Sequence, residues 1–212
     1  MSEPDMNIEE TQKDAMEGNP MSQFNLAIMY ATGQGMSQDN DMAKKYFRLA
    51  AEQGLKRAQM NLGSMYSRDG DMVNALKYYQ MGADQGQREC MKIVGYYYYE
   101  GIGGAEKNHV RAFEWYKKAA DLGNSDAMLN LAHMYDDGEG TAVDKKKALK
   151  LYLKNAREND DPDSQFMAAC MLILGSAGTK NLSMAVELCQ QSMANGYQGA
   201  HVLWATLQEG ES

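Results

Sequence analysis

Small and apolar residues recur along this chain in two alternating helical patterns. One stripe places them at offsets 0, 3, 4, 7 and 8, as in Ala43, Tyr46, Phe47, Ala50 and Ala51. It returns at Ala75, Tyr78, Tyr79, Gly82 and Ala83, and at Ala112, Trp115, Tyr116, Ala119 and Ala120. Degraded copies follow at Ala148, Leu151, Tyr152, Asn155, Ala156 and at Ala185, Leu188, Cys189, Ser192, Met193. These offsets fall on one face of a 3.6-residue helix. Asp39, Asp71, Asn108, Asp144 and Asn181 stand four residues before the leading alanines, where a side-chain oxygen can accept from the first free amides of a helix. Three residues past each stripe come Gly54, Gly86, Gly123, Asn159 and Gly196, residues suited to a left-handed helix stop. These stops are 32, 37, 36 and 37 residues apart, and Gly18 closes an earlier partial copy.

A second stripe, small–x3–Leu–Gly/Ala–x2–Tyr, fills the first half of each copy. It reads Ala58, Leu62, Gly63, Tyr66 and Ala127, Leu131, Ala132, Tyr135, with near copies at Ser22, Leu26, Ala27, Tyr30 and Cys90, Val94, Gly95, Tyr98. Ser164, Ala168, Ala169 and Leu172 form a weaker version, and Ala200, Trp204 and Ala205 begin a last helix. Gly33/Gly35, Gly101/Gly103 and Gly138/Gly140 form Gly-x-Gly loops between the halves, while the 32-residue copy keeps only Gly70. Met29, Met65 and Met134 precede the packing tyrosines, which assigns many of the 18 methionines to core filling. The pattern predicts about twelve helices and no strand.

This arrangement resembles the Sel-one-like repeat family, a branch of the tetratricopeptide superfamily, over roughly residues 19–210. The best match runs from Lys107 to Gly123. The expected fold is all-α: an α-solenoid, a right-handed superhelix of about five helix-turn-helix repeats with partial repeats at both ends. The expected organisation is one repeat domain, 1–212. It comprises an acidic capping segment 1–18, repeats 19–54, 55–86, 87–123, 124–161 and 162–198, and a partial repeat 199–212. Some secreted bacterial members staple neighbouring helices with cysteines. Cys90 occupies such a position, but Ala83 stands where its partner would, which argues against that subtype.

The resemblance implies an adaptor, scaffold or regulator working through protein contacts in a concave groove lined by the first helices. By likeness to the tetratricopeptide arrangement, groove positions lie one before the small residue and two, six, nine and ten after it. They are Arg57, Met60, Ser64, Ser67 and Arg68 in the second copy. The third gives Glu89, Lys92, Tyr96, Tyr99 and Glu100, and the fourth Asp126, Leu129, His133, Asp136 and Asp137. Met21, Phe24 and Ile28 in the first copy and Phe166, Cys170 and Ile173 in the fifth give a more apolar lining. Tyr96 and Tyr99 stand out, because Tyr98 already fills the packing position and exposed tyrosines among charges are typical interface anchors.

Charge narrows the partners. Twenty-one basic against 29 acidic residues leave a net charge of −8, which disfavours nucleic acid and anionic membranes. Residues 1–20 contribute much of it, with Glu3, Asp5, Glu9, Glu10, Asp14 and Glu17 against Lys13. No secretory signal or membrane-spanning stretch is evident, and Cys90, Cys170 and Cys189 form no CxxC motif, so a cytoplasmic protein with free thiols is expected. Asp136, Asp137 and Glu139 lack the alternating ligand order of a calcium loop. His109, His133 and His201 lack metal-ligand spacing. No phosphate-binding or nucleophile motif occurs. Lys145, Lys146 and Lys147 read as a solvated face balanced by nearby acids. The expectation is therefore a non-enzymatic protein with no cofactor or metal that binds a protein or peptide. The alternative is an immunity protein that neutralises a bacterial toxin by direct binding, to which an acidic surface is suited.

Overall fold

The computed structural model describes residues 8–209, and all twelve elements there are α-helices, with no strand among the described residues. They form two compact units, one ending at Lys107 and the other beginning at Asn108. The first holds α1 (Ile8–Met16), α2 (Pro20–Thr32), α3 (Asn40–Glu52), α4 (Lys56–Arg68), α5 (Met72–Asp84) and α6 (Arg88–Glu100). The second holds α7 (His109–Asp121), α8 (Ser125–Asp137), α9 (Lys145–Asn159), α10 (Pro162–Leu174), α11 (Leu182–Ala194) and α12 (Gln198–Glu209). Of the acidic segment 1–18, residues 1–7 lie outside the described residues. Among the described residues no helix is long and apolar enough to cross a membrane.

The five expected helix starts are made by the five expected side chains. Asp39, Asp71, Asn108, Asp144 and Asn181 each accept from a backbone amide in the first turn of α3, α5, α7, α9 and α11. The face behind each start is buried, as in Ala43, Tyr46, Phe47, Ala50 and Ala51. Three positions depart from this: Trp115, Leu151 and Met193 are only half-buried, and Lys118 Nζ lies 4.1 Å from the Trp115 ring centroid. The stop of α9 also departs. Asn159 remains helical because its Nδ2 donates to Asn155 Oδ1 one turn earlier (2.8 Å), and the left-handed turn falls on Asp160, at φ 50°. A left-handed non-glycine is unusual, though Asp and Asn tolerate it better than most residues.

The first-half helices α4, α6, α8 and α10 bury their expected small residues, Ser22 of α2 is half-buried, and the position before the packing tyrosine is buried in every copy. Met29, Met65, Met134 and Met171 occupy it, and in α6 Tyr97 does, 3% exposed. Tyr98 is half-buried, like Tyr30 and Tyr135. The deepest tyrosine of α6 is therefore Tyr97, whose ring meets Tyr79 edge-on at 6.1 Å.

Several junctions between repeats also contain a polar tie. Gln59, 1% exposed, donates through Nε2 to the Ala51 carbonyl at the end of α3 (3.1 Å) and accepts from Gln85 Nε2 beyond α5 (2.9 Å). Gln23 repeats the arrangement with the Ala15 carbonyl (3.2 Å) and Gln53 (2.8 Å). In the second unit Gln165 accepts from Asn195 Nδ2 (3.1 Å). Met91 and Met128 occupy the equivalent buried position in α6 and α8. Since the Ala51 carbonyl also accepts from the Gly54 amide, Gln59→Met is expected to cost less than about 1 kcal/mol in urea unfolding. A loss above about 2 kcal/mol would show that the amide tie is essential to the junction.

Candidate functional site

The candidate surface of the first unit is the exposed face of α4 and α6, positioned by Tyr79 of α5. Gly63 of α4 leaves room for that ring, since a Cβ there would lie 2.8 Å from it, and Tyr97 of α6 closes on its other side. Burial raises the Tyr79 hydroxyl pKa, with Tyr97 adding to the effect and a hydrogen bond from Ser64 opposing it. Ser64 is thus tied into the packing rather than left for a partner, and Ser67 Oγ contacts Met72 Sδ at 3.9 Å.

On the remaining face of α4, Arg57 and Arg68 are exposed and Met60 is half-buried. On α6, Lys92, Tyr96 and Tyr99 follow one another at i, i+4 and i+7, which sets them on one side of the helix. Tyr96 is 49% exposed and leans edge-on against Tyr97, with ring centroids 6.4 Å apart. Tyr99 is half-buried, and Lys107 Nζ sits 5.8 Å from its ring centroid. Glu89 and Glu100 border these residues, with Arg88 paired to Glu89 at 3.4 Å. Phe24 on α2 turns inward to meet Phe47 edge-on at 5.6 Å, while Met21 is exposed.

The candidates of the second unit are more engaged with their own fold. His133 Nδ1 shares a 2.8 Å hydrogen bond with Tyr152 Oη of α9, whose pKa is raised mainly by burial and then by Asp136 and Asp137. Asp136 Oδ1 accepts from Lys145 Nζ at 2.8 Å. Leu129, Phe166 and Ile173 pack against the core, Phe166 meeting Tyr197 at 4.8 Å. Asp137 is exposed, and so is Asp126. Asp163 on α10 has its carboxyl pKa raised by burial and by Asp161, an effect that His133 offsets in part.

Cys90, Cys170 and Cys189 are unbridged. Burial pushes the Cys90 thiol up to about 12, with Glu89 adding to it, so the thiolate a nucleophile needs is suppressed. No group of three or more His, Cys, Asp or Glu that could hold a metal ion occurs among the described residues.

Antiparallel helix pairs with capped second helices, small-residue contacts and glycine loops define a tetratricopeptide-like helical repeat protein. Within that class the chain belongs to the Sel1 repeat family, whose model matches residues 20–55, 56–87, 88–124, 125–160 and 162–197. Among solved structures it is similar to c5321, a protective antigen present in uropathogenic Escherichia coli strains that displays an SLR fold. The identity is 32% and the TM-score 0.89, over 94% of this chain and 43% of that one. A Sel1 repeat protein from Oxalobacter formigenes is 30% identical, with a TM-score of 0.77 over 89% of this chain and 76% of that one. A sel1-like repeat-containing protein of Acanthamoeba polyphaga mimivirus is 38% identical over 66 residues. That match takes in 31% of this chain but only 12% of the viral protein. The fold is thus the α-solenoid class of Sel1-like repeats, which generally serve as protein–protein interaction modules.

Proposed function

We propose that this protein is a non-enzymatic adaptor or scaffold that binds a protein or peptide partner on the α4–α6 face of its first unit. The observation that carries this reading is Tyr96. It is a large aromatic side chain, half in solvent, aligned with Lys92 and Tyr99 on one side of a helix whose opposite side is fully packed. Tyrosine contributes contact area at low entropic cost and is enriched among residues that dominate interface energies. Arg57, Met60 and Arg68 supply a charged and adaptable rim. The groups on α8 contribute less, because His133 and Asp136 are already bonded to α9.

Affinity capture from source-cell lysate tests this, comparing wild type with Tyr96→Ala/Tyr99→Ala after circular dichroism shows both to be folded. Bound partner is expected to fall by about tenfold or more in the double variant. Equal retention by both proteins would move the binding surface away from α6.

A further inference from the structure

Six of the chain's 21 basic residues lie in α9, which is 15 residues long. The run Lys145–Lys147 that opens the helix is neutralised only in part. Lys145 pairs with Asp136 at 2.8 Å and Lys147 with Asp144 at 3.1 Å. Lys146 turns the other way. It begins a row, Lys146, Lys150, Lys154 and Arg157, that lines a groove of about 600 Å³. Leu149 and Leu153 stand between these cations, and Ala177 and Thr179 from the α10–α11 loop form the opposite wall. Neither Lys146 nor Lys150 has an ion-pair partner among the described residues. At the far end Glu158 lies 3.8 Å from both Lys154 and Arg157. Asp160 and Glu187 line an adjoining groove with Met184, itself 40% exposed.

We propose that this groove is a second docking surface, which takes an acidic amphipathic helix of a partner protein. The spacing argues for a helix. Cations one helical turn apart, with leucines between them, match carboxylates and apolar side chains repeating at the same period. Lys146 to Arg157 spans about 16 Å, three turns of helix, so a small anion would engage only one or two of the four cations. A phosphate chain fits poorly, because Glu158, Asp160 and Glu187 close one end of the row with negative charge. Those acids also set the polarity of the complex: the partner carries its acids toward Lys146 and Lys150 and is neutral or basic where it meets Glu158. Long-range attraction of this kind sets the rate of encounter and the choice of partner more than the final affinity.

The test uses the full chain and a fluorescein-labelled 16-residue helical peptide with glutamate at every fourth position and leucines between, read by anisotropy at low salt. A scrambled peptide of the same composition serves as the comparison. Wild type is expected to bind the patterned peptide saturably, and Lys146→Glu/Lys150→Glu to bind it about tenfold more weakly. Lys146→Gln/Lys150→Gln should fall between them and covers the case in which charge reversal unfolds the helix. Lys117→Glu/Lys118→Glu, which changes the net charge equally on α7, should alter binding by less than about twofold. Equal weakening by both reversals, or equal binding of the scrambled peptide, would overturn the proposal. So would displacement of the peptide by equimolar tripolyphosphate, which would make the groove a small-anion site. The Tyr96→Ala/Tyr99→Ala protein should bind the peptide as wild type does, which separates this surface from the one on α6.

Discussion

Gly140→Ala is expected to destabilise the second unit by about 3–4 kcal/mol. Gly140 is the second glycine of the loop between α8 and α9, at φ +69°, and it packs on the first residues of α7. A Cβ there would fall on the carbonyl group of His109 and within 2.9 Å of the Val110 nitrogen. Left-handed backbone alone costs a non-glycine residue roughly 1–2 kcal/mol. The remainder comes from pushing one segment of main chain off another, which no rotamer change can relieve. Gly54 supplies the contrast, since at φ +87° it has nothing within 4 Å of its would-be Cβ. Gly54→Ala should therefore lose only the roughly 1–2 kcal/mol conformational part. Urea unfolding followed by circular dichroism measures both variants. Equal losses would mean that the Gly140 loop yields to the added methyl and that its contact with α7 is not tight.

Asn155→Ala is expected to cost about 2–3 kcal/mol. Asn155 is fully buried and joins three helices. Its Nδ2 donates to the Ser125 carbonyl (3.2 Å) and to Ser164 Oγ (2.9 Å). Its Oδ1 accepts from Ser125 Oγ and Asn159 Nδ2 at 2.9 and 2.8 Å. Truncation leaves a cavity and strands a buried hydroxyl, the situation in which a missing partner costs more than an ordinary hydrogen bond is worth. Ser164→Ala alone should cost about 1 kcal/mol, and adding it to Asn155→Ala should cost little more, because its partner has already gone. Strict additivity of the two losses in the same urea measurement would show that the two side chains are not coupled.

Asn155 also shows where pattern reading runs out. At the same stripe position the other second-half helices carry Ala50, Gly82, Ala119 and Ser192, so asparagine reads there as decay of the motif. In the structure it is a junction, and Ser192 acts similarly by donating to the Pro162 carbonyl at 2.7 Å. The stripe reports which face is buried, because burial follows a 3.6-residue period. It does not report what a buried polar atom meets, because that partner comes from another helix. The buried glutamines Gln23, Gln59 and Gln165 escape notice for the same reason, although their recurrence one place after Ser22, Ala58 and Ser164 is a signal in the sequence.

The candidate surface divides along the same line. Exposure of Arg57, Arg68 and Tyr96 follows from offset alone, since these residues lie on the side of the helix away from the stripe. The engagement of His133 and Asp136 depends on how far Tyr152 and Lys145 reach from α9, and no spacing within α8 encodes that. The α9 row was there to be found by counting in helical steps of four, four and three from Lys146. Taken as a run of three consecutive lysines, Lys145–Lys147 hides it, because consecutive residues point to different sides of a helix.

The side-chain ties between repeats have one further property, their reach along the chain. Gln23 to Gln53, Ser125 to Asn155, Pro162 to Ser192 and Gln165 to Asn195 are each separated by 30 residues. Gln59 to Gln85, in the shortened copy, is separated by 26. None of these ties waits for a distant part of the polypeptide. A nascent chain leaving the ribosome closes each of these ties as soon as the next copy has emerged, before the following one is made. Assembly from such near neighbours is the topology that folds fastest and leaves the least apolar surface exposed during synthesis.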